Sequence, residues 1–437
     1  MNFPPILQTI WGKLSSWRLR QVAVFVYFAA LCTSQYGNQF IVTFPLNISQ
    51  LLMIAGCGIM FLDNDKLQIP RILLPMAFLM GLISFGFNYN PSLVPVQLKT
   101  MFGIFVYFAF SYSLINRYRY DLWKFVWIYY RIALVEASFA ILQVFVWVTT
   151  GVTLVEPVLK SQLGGFLNLR PEAFGLLPRA IGFHREPSHL VAFLLPALYF
   201  AVQRLFGHAD VRSRIPLWCA WVIVIGYTLT FSLNAYVGLL AVLLSVVVQK
   251  YRQHKGKLAL AIVSGSALFL SAGLAISSLR MRLIQLVSFD PRQLDGNNLS
   301  TFAFLSNGLV TFQALIASKG IGFGMNSHSN SYDKYLGKFF SAFQVVMRLN
   351  TEDAASLYFR LLSEFGVLGL TAYLFMIWRA KYRYGGIQEQ INRMGALIAL
   401  VVTIRNGNYM EQITWMGICL VLVTFDAQST TRQPTNS

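Results

Sequence analysis

Apolar runs of about 17–25 residues, long enough to cross a bilayer, recur from one end of this chain to the other. They predict twelve transmembrane helices, at 21–39, 41–62, 72–88, 99–116, 124–147, 188–206, 216–232, 235–249, 258–277, 357–378, 392–405 and 412–427. The eleventh is the shortest and ends at Arg405. Most breaks between runs are brief, such as "YGNQF" and "SLNAY". Two are long, 148–187 and 278–356. Loops beyond roughly 12–15 residues usually carry function or secondary structure of their own. In the second, "SLRMRLIQLVSF" places apolar residues at helical spacing with two arginines opposite, the pattern of a helix lying along the interface. "NLSTFAFLSNGLVTFQALIAS" is apolar too, but Ser300, Thr301, Ser306, Asn307 and Gln313 make it a poor span. The expected fold is therefore all-α and integral to a membrane, one polytopic domain over 1–437 with two long loops on the same side.

Composition agrees: 56% of the 437 residues are hydrophobic and only 12% are charged, where a soluble domain carries about 25% charged residues. The net charge of +18 resembles a nucleic-acid footprint until its distribution is read. Lys and Arg gather in alternate breaks, at Lys13–Arg20, Lys66–Arg71, Arg117–Lys124, Arg204–Arg214, Lys250–Lys257 and Arg379–Arg393. These breaks and the polar tail hold about 20 basic against about 6 acidic residues, so the positive-inside rule absorbs about 14 of the excess charges. No nucleic-acid partner is implied. The alternation predicts cytoplasmic termini and places both long loops outside. Cys32, Cys57, Cys219 and Cys419 all fall in apolar runs without CxxC spacing, so neither a disulfide framework nor a metal site is expected. The first apolar run lacks a small-residue cleavage site, and no cleaved signal peptide is expected.

Charge is scarce here, so its local concentration is informative. "RAIGFHREPSHLVAFLLP" runs from Arg179 to Pro196, where the first long loop enters the sixth span. Pro187 suits a first helical turn, and the N-terminus behind it favours anions. Arg179 and Arg185 supply guanidinium forks that match phosphate oxygens. Glu186 is either a general base, desolvated at the bilayer edge, or a helix-end carboxylate paired with an arginine. His184 and His189 serve either as ligand-binding groups or, more commonly, as packing residues. Within "RLNTEDAASLYFRLLSEFGVLGL", Asp353 can cap the tenth helix, and Arg360 and Glu364 fall at i, i+4 on one face inside the membrane. Arg131 and Glu136 form a second intramembrane pair, less well spaced. "TLTFSLNAY" (228–236) loads hydroxyls and an amide on the outer end of the seventh span. No tetrahedral set of metal ligands occurs. "KGIGFG" (319–324) lacks the Lys-Ser/Thr of a nucleotide-binding loop.

Three of these pieces, in order, resemble the bacterial O-antigen and exopolysaccharide polymerases (Wzy-type) of the O-antigen ligase superfamily. "RAIGFHREP" is similar to the family's Arg-x-x-Gly-x-x-x-Glu-Pro element, through Arg179, Gly182, Glu186 and Pro187. "TFSLNAYVGLL" is similar to its serine-containing helix. "GIGFG", the rest of the large loop and "ASLYFRLLSEFGVLGL", with Gly366 and Gly369, resemble its C-terminal signature. The ligase branch carries a histidine eleven residues before the first of those glycines; here that position is Ala355, which favours a polymerase. The arginine that often precedes Gly-x-Gly is also missing, since none lies between Arg292 and Lys319.

The resemblance implies a GT-C-like integral-membrane glycosyltransferase in the bacterial inner membrane, using no metal or other cofactor. It would join undecaprenyl-diphosphate-linked oligosaccharide repeats at the periplasmic face, among membrane lipids and with a chain-length regulator as a further partner. In that reading Arg179, Arg185, His189, Arg280, Arg282, Arg348 and Arg360 bind substrate. Glu186 is the leading catalytic base, with His328 behind it. Two alternatives stay open: a ligase-type glycan transferase, and a flippase or other transporter, although transporters usually show internal repeats.

Overall fold

The computed structural model describes residues 16–33, 48–63, 67–70, 72–152, 154, 171–173, 177–184, 186–251, 299–337, 348–379, 385–409 and 411–431, with isolated positions between 253 and 284. The chain is mostly helical. Its elements are α1 (Ser16–Thr33), α2 (Ile48–Leu62), α3 (Leu73–Gly81), α4 (Val94–Arg117), α5 (Leu122–Thr150), α6 (Pro187–Leu205), α7 (Ala209–Arg212), α8 (Leu217–Thr228), α9 (Leu233–Tyr251), α10 (Leu299–Ala317), α11 (His328–Leu336), α12 (Leu357–Arg379), α13 (Gly386–Val401) and α14 (Gln412–Thr431). A two-stranded antiparallel hairpin, β1 (Pro171–Ala173) and β2 (Leu177–Pro178), precedes α6.

Among the described residues, five helices are long and apolar enough to cross a membrane: Val94–Arg117, Leu122–Thr150, Pro187–Leu205, Asn234–Tyr251 and Leu357–Trp378. Six shorter apolar helices accompany them, among them Ile48–Leu62, Leu217–Thr228 and Gln412–Asp426. This is a membrane-associated helical protein. The expected span at 258–277 and the interfacial helix at 278–289 fall largely outside the described residues, as does most of 148–187. Where the eleventh span was expected, at 392–405, α13 begins earlier, at Gly386, and closes in a 3-10 turn, Val402–Ile404, just before Arg405. The second long loop contains helices as expected, α10 and α11, which share a small core of Phe302, Leu305, Val310, Tyr332 and Leu336.

Between apolar helices in lipid, close backbone approach and interhelical hydrogen bonds do the work that water-driven burial does elsewhere. Thus α13 and α14 meet at Gly395 and Gly417, where a Cβ on either would lie within 3 Å of the other's carbonyl oxygen. Asn392 Nδ2 donates to Thr424 Oγ1 across the same seam at 2.7 Å.

The basic breaks gather at one end of the bundle. Arg117 pairs with Asp63 at 3.5 Å, and Gln388 donates to the Arg119 carbonyl. Gln203 donates to both Gln249 and Gln390, and Arg204 to the Ile215 carbonyl. The opposite end gathers 88–100, 179–189, 228–234, 320–328, 353–364 and 402–412. Of the nine candidate site residues, Arg179, Glu186, His189, His328 and Arg360 lie in these stretches.

One expected pair does not form. Arg131 is exposed, its guanidinium 5.2 Å from the Trp127 ring, while Glu136 is buried. Five residues along a helix turn a side chain through about 140°, onto the far face.

Candidate functional site

α12 is broken. Gly366 sits at φ 63°, ψ −159° inside the helix, a conformation essentially reserved for glycine. The break lets the loop of "GIGFG" lie against it. Phe323 N donates to Ser363 O (3.0 Å), Gly324 N to Glu364 O (2.7 Å) and Val367 N to Gly320 O (3.0 Å). Irregular backbone at membrane depth is tolerated where protein satisfies it or where it lines a cavity. Here α3 and α4 complete the satisfaction. A π-helical turn, Leu82–Phe87, extends α3 and brings Ser84 Oγ to accept from Met325 N at 2.9 Å. Asn88 Nδ2 donates to Gly322 O, and Gln97 Nε2 to Met325 O.

This clamp fixes a charged cluster. The expected Arg360–Glu364 pair forms, Nε to Oε1 at 3.1 Å, with Glu364 fully buried and Arg360 nearly so. Arg360 also donates from Nη1 to the Gly407 carbonyl (3.1 Å) and from Nη2 to Asn326 Oδ1 (2.6 Å), and its Cζ lies 4.1 Å from the Tyr409 ring centroid. Tyr409 Oη donates to Glu364 Oε2 at 2.8 Å. Asn326 Nδ2 in turn donates to Thr100 Oγ1. A buried ion pair is retained only where its remaining hydrogen bonds are satisfied, and four segments converge to satisfy this one.

His328 opens α11 and is sealed. Its Nε2 lies 2.9 Å from Asn307 Oδ1 and its Nδ1 2.8 Å from Ser363 Oγ. Asn307 Nδ2 donates to the Ala303 and Leu349 carbonyls, so Oδ1 faces the ring and Nε2 carries the hydrogen. Burial, and then the charge of Arg360, push the imidazole down to about 3. His184 is likewise pushed down to about 3, by burial and then by His189. A histidine depressed on folding stabilises the fold fully above its ordinary value near 6.5, and that stability is lost as pH falls towards 3. In that window each group contributes a slope of about 1.4 kcal/mol per pH unit. His328→Gln is therefore expected to flatten the loss of thermal stability between pH 7 and pH 5 relative to the wild type. Parallel slopes from unfolding scans in detergent would contradict a buried neutral His328.

The Arg179–Pro187 segment folds back on α5. Gln143 Oε1 accepts from Ile181 N (3.2 Å) and Gly182 N (2.9 Å), and Gln143 Nε2 donates to Gly182 O. Phe183 N donates to Glu136 Oε2 at 3.2 Å, and His184 Nε2 lies 3.9 Å from Glu136 Oε1. Gly182 has φ 59°, and a Cβ there would stand 2.8 Å from Glu136 Oε2. That close approach explains the glycine of the motif. Arg179 Nε donates to the Thr230 carbonyl at 3.3 Å. Pro187 occupies the first turn of α6, as expected, and Glu186 is the residue before it. Glu186 is exposed and accepts from Ser188 Oγ at 3.2 Å.

Arg348 is also exposed, paired with Asp333 at 2.7 Å in the loop that carries α11. Arg280 is exposed. Arg185 and Arg282 lie outside the described residues. Asp353 does not cap the tenth helix. Its Oδ1 accepts from Ala355 N four residues before α12 begins, and Ala354 and Ala355 both have positive φ. A chain turning through the left-handed region cannot enter a helix there.

Two clefts adjoin this end. One, of about 150 Å³, is almost wholly apolar and runs along α3, α4, α12 and α14, past Met76, Phe105, Leu361 and Phe365 to Tyr409 and Trp415. The other, of about 40 Å³, is lined by Ser188, His189, Tyr227, Asn234, Arg405 and Asn406 among others. Sequence reading missed Asn326, Asn406, Tyr409 and Glu411. Three of these lie in "RNGNYMEQ" (405–412), a link whose concentration of amides and charge was the available signal. Among the described residues no group of His, Cys, Asp and Glu could hold a metal ion. Comparison with family descriptions, curated proteins and solved structures finds no match to this chain.

Proposed function

We propose that this chain is a polysaccharide polymerase, an integral-membrane glycosyltransferase that joins undecaprenyl-diphosphate-linked oligosaccharide repeats at the periplasmic face of a bacterial inner membrane. Twelve spans, cytoplasmic termini and outer long loops belong to the same reading. The observation that carries it is Arg360, a buried guanidinium beside the head of a long apolar cleft. A ligand that suits both is an amphiphile with an anionic head and a hydrocarbon tail. The guanidinium engages Glu364, Gly407, Asn326 and Tyr409, which leaves one of its five N–H groups for a diphosphate oxygen. Arg179, Arg185, Arg280, Arg282 and Arg348 are the further cations that would meet charge from the loops. A diphosphate is already a good leaving group, so charge stabilisation and orientation of the acceptor supply the catalysis.

The test is purified protein in lipid nanodiscs with an undecaprenyl-diphosphate-linked repeat. A ladder of extended glycans, with undecaprenyl diphosphate released in step, is the expected result. No extension would overturn the reading. The break in α12 favours a second one, since discontinuous helices build the substrate sites of transporters. Movement of the lipid-linked repeat between leaflets of proteoliposomes, without new glycosidic bonds, would establish that alternative.

A further inference from the structure

We propose that Arg131 and Arg214 hold one anionic phospholipid against the edge formed by α5 and α8, at the basic end of the bundle. This site is independent of the polymerase reading and lies on a face that reading leaves unused.

The starting point is a charge on the wrong side of a helix. Ionisable residues inside spans almost always face the bundle interior or a cavity. Arg131 faces neither. The exposed positions of α5 recur at Lys124, Arg131, Val135, Ser138, Leu142 and Phe145, one stripe at helical spacing. Arg131 stands seven residues past Lys124 on that stripe, about 10 Å further along the axis. Arg214, between α7 and α8, is exposed as well. Among the described residues neither guanidinium has a carboxylate within ion-pair distance. Asp121 is taken by Lys124 at 3.1 Å, and Glu136 is buried and accepts from Phe183 N.

Both arginines lie instead on one aromatic ladder. Arg131 Cζ is 5.2 Å from the Trp127 ring centroid, and Arg214 Cζ is 5.4 Å from that of Trp123. The two indoles, one turn apart on α5, stack with centroids 6.2 Å apart. Trp127 stacks in turn on Tyr130 at 5.8 Å. Side chains on a helix lean towards its N-terminus. Arg131 therefore reaches back along Trp127 towards the end where Arg214 stands. α8 runs alongside, so close that a Cβ on Gly226 would stand 2.8 Å from the Cβ of Ala137. Its own exposed residues, Trp218, Trp221 and Ile225, continue the apolar surface.

The occupant must bring negative charge to the ladder and hydrocarbon to the stripe beyond it. A glycerophospholipid does both. Its phosphate oxygens match guanidinium forks, and its acyl chains would lie along Val135, Leu142 and Phe145. The head group decides which phospholipid. A choline or ethanolamine ammonium beside the phosphate would meet a second guanidinium of like charge, with no carboxylate to offset it. A glycerol head group carries no ammonium, so the pair of arginines selects the anionic lipid.

The experiment titrates purified, delipidated protein with phosphatidylglycerol or phosphatidylcholine of matched chains and counts bound lipids by native mass spectrometry. Wild type is expected to bind its first phosphatidylglycerol about tenfold more tightly than phosphatidylcholine, the scale of one charge-assisted hydrogen bond. Arg131→Gln and Arg214→Gln are each expected to lose about that factor. Lys124→Gln removes the same charge from the same stripe, but this lysine is already paired, and binding is expected to be unchanged. The comparison separates a site from general attraction to a basic surface. Should an arginine variant fail to fold, the preference of the wild type between the two lipids decides alone. Equal affinity for the two lipids overturns the inference. So does wild-type affinity in both arginine variants, or an equal loss in Lys124→Gln. A dimer of the chain that the arginine variants release would also overturn it, by making this face a protein contact.

Discussion

Arg360→Ala is expected to remove most of the folded protein from the membrane. The substitution leaves Glu364 fully buried with only Tyr409 to bond it, and leaves the Gly407 carbonyl and Asn326 Oδ1 without the donor they share. Breaking a buried ion pair by deleting one partner costs about 3–5 kcal/mol, a large fraction of the 5–15 kcal/mol by which proteins are typically stable. The paired charge reversal, Arg360→Glu with Glu364→Arg, is the more discriminating variant. On a lone pair it would restore the attraction and the stability. In this cluster a glutamate at 360 would face the Gly407 carbonyl and Asn326 Oδ1, two acceptors now served by guanidinium N–H groups. The double variant is therefore expected to accumulate no better than either single reversal. Membrane abundance and unfolding temperature in detergent give the answer. Rescue by the double variant would reduce the cluster to a two-residue salt bridge.

The same cluster shows how far the sequence could be read. An i, i+4 arginine and glutamate inside an apolar run announce their own pairing, because helical spacing is local and lipid forbids leaving either charge alone. Nothing local could announce Asn326, Tyr409 and Gly407, which reach Arg360 only because α12 is broken and the loops before α11 and α14 fold onto it. The Arg131–Glu136 expectation failed for the complementary reason. Spacing of five residues is the wrong period for one helix face, and Glu136 instead receives the backbone of the Arg179–Pro187 segment. That segment was recognisable as a motif, and its glycine and proline have the local roles their chemistry suggests. Its two histidines separate only in three dimensions. His184 turns inward against Phe193, with ring centroids 5.0 Å apart, and His189 lines a cleft. Helix existence was legible almost throughout the described residues, because an apolar run longer than a strand leaves few alternatives. Helix ends were read unevenly: α12 begins at Leu357, where its span was expected, while α13 begins at Gly386, six residues before the expected 392.

Gly366→Ala carries the other large effect. A Cβ at this position would stand 1.9 Å from the Gly320 carbonyl oxygen and 2.6 Å from Ile321 C, both main-chain atoms with no rotamer to escape through. The backbone there is also one that an L-residue adopts only under strain of about 1–3 kcal/mol. Relief requires the Gly320–Gly324 loop to move off α12, and three backbone hydrogen bonds go with it. At about 0.5–1.5 kcal/mol each, these and the strain together give a loss of about 5 kcal/mol. Gly58→Ala is the control, since a Cβ at Gly58 meets nothing within 4 Å and the residue lies within α2. Alanine there is expected to be neutral or to stabilise by up to about 1 kcal/mol, the ordinary gain over glycine in a helix. Unfolding temperatures of the two variants in the same detergent should therefore separate widely. Should Gly366→Ala unfold with Gly58→Ala, the loop does not press on the broken helix, and the clamp that places Arg360 and Glu364 is not as described. If the loss occurs as expected, Ser84→Ala should follow it in direction and fall well short of it in size. That change removes a single acceptor, the one for Met325 N, from the far side of the same loop.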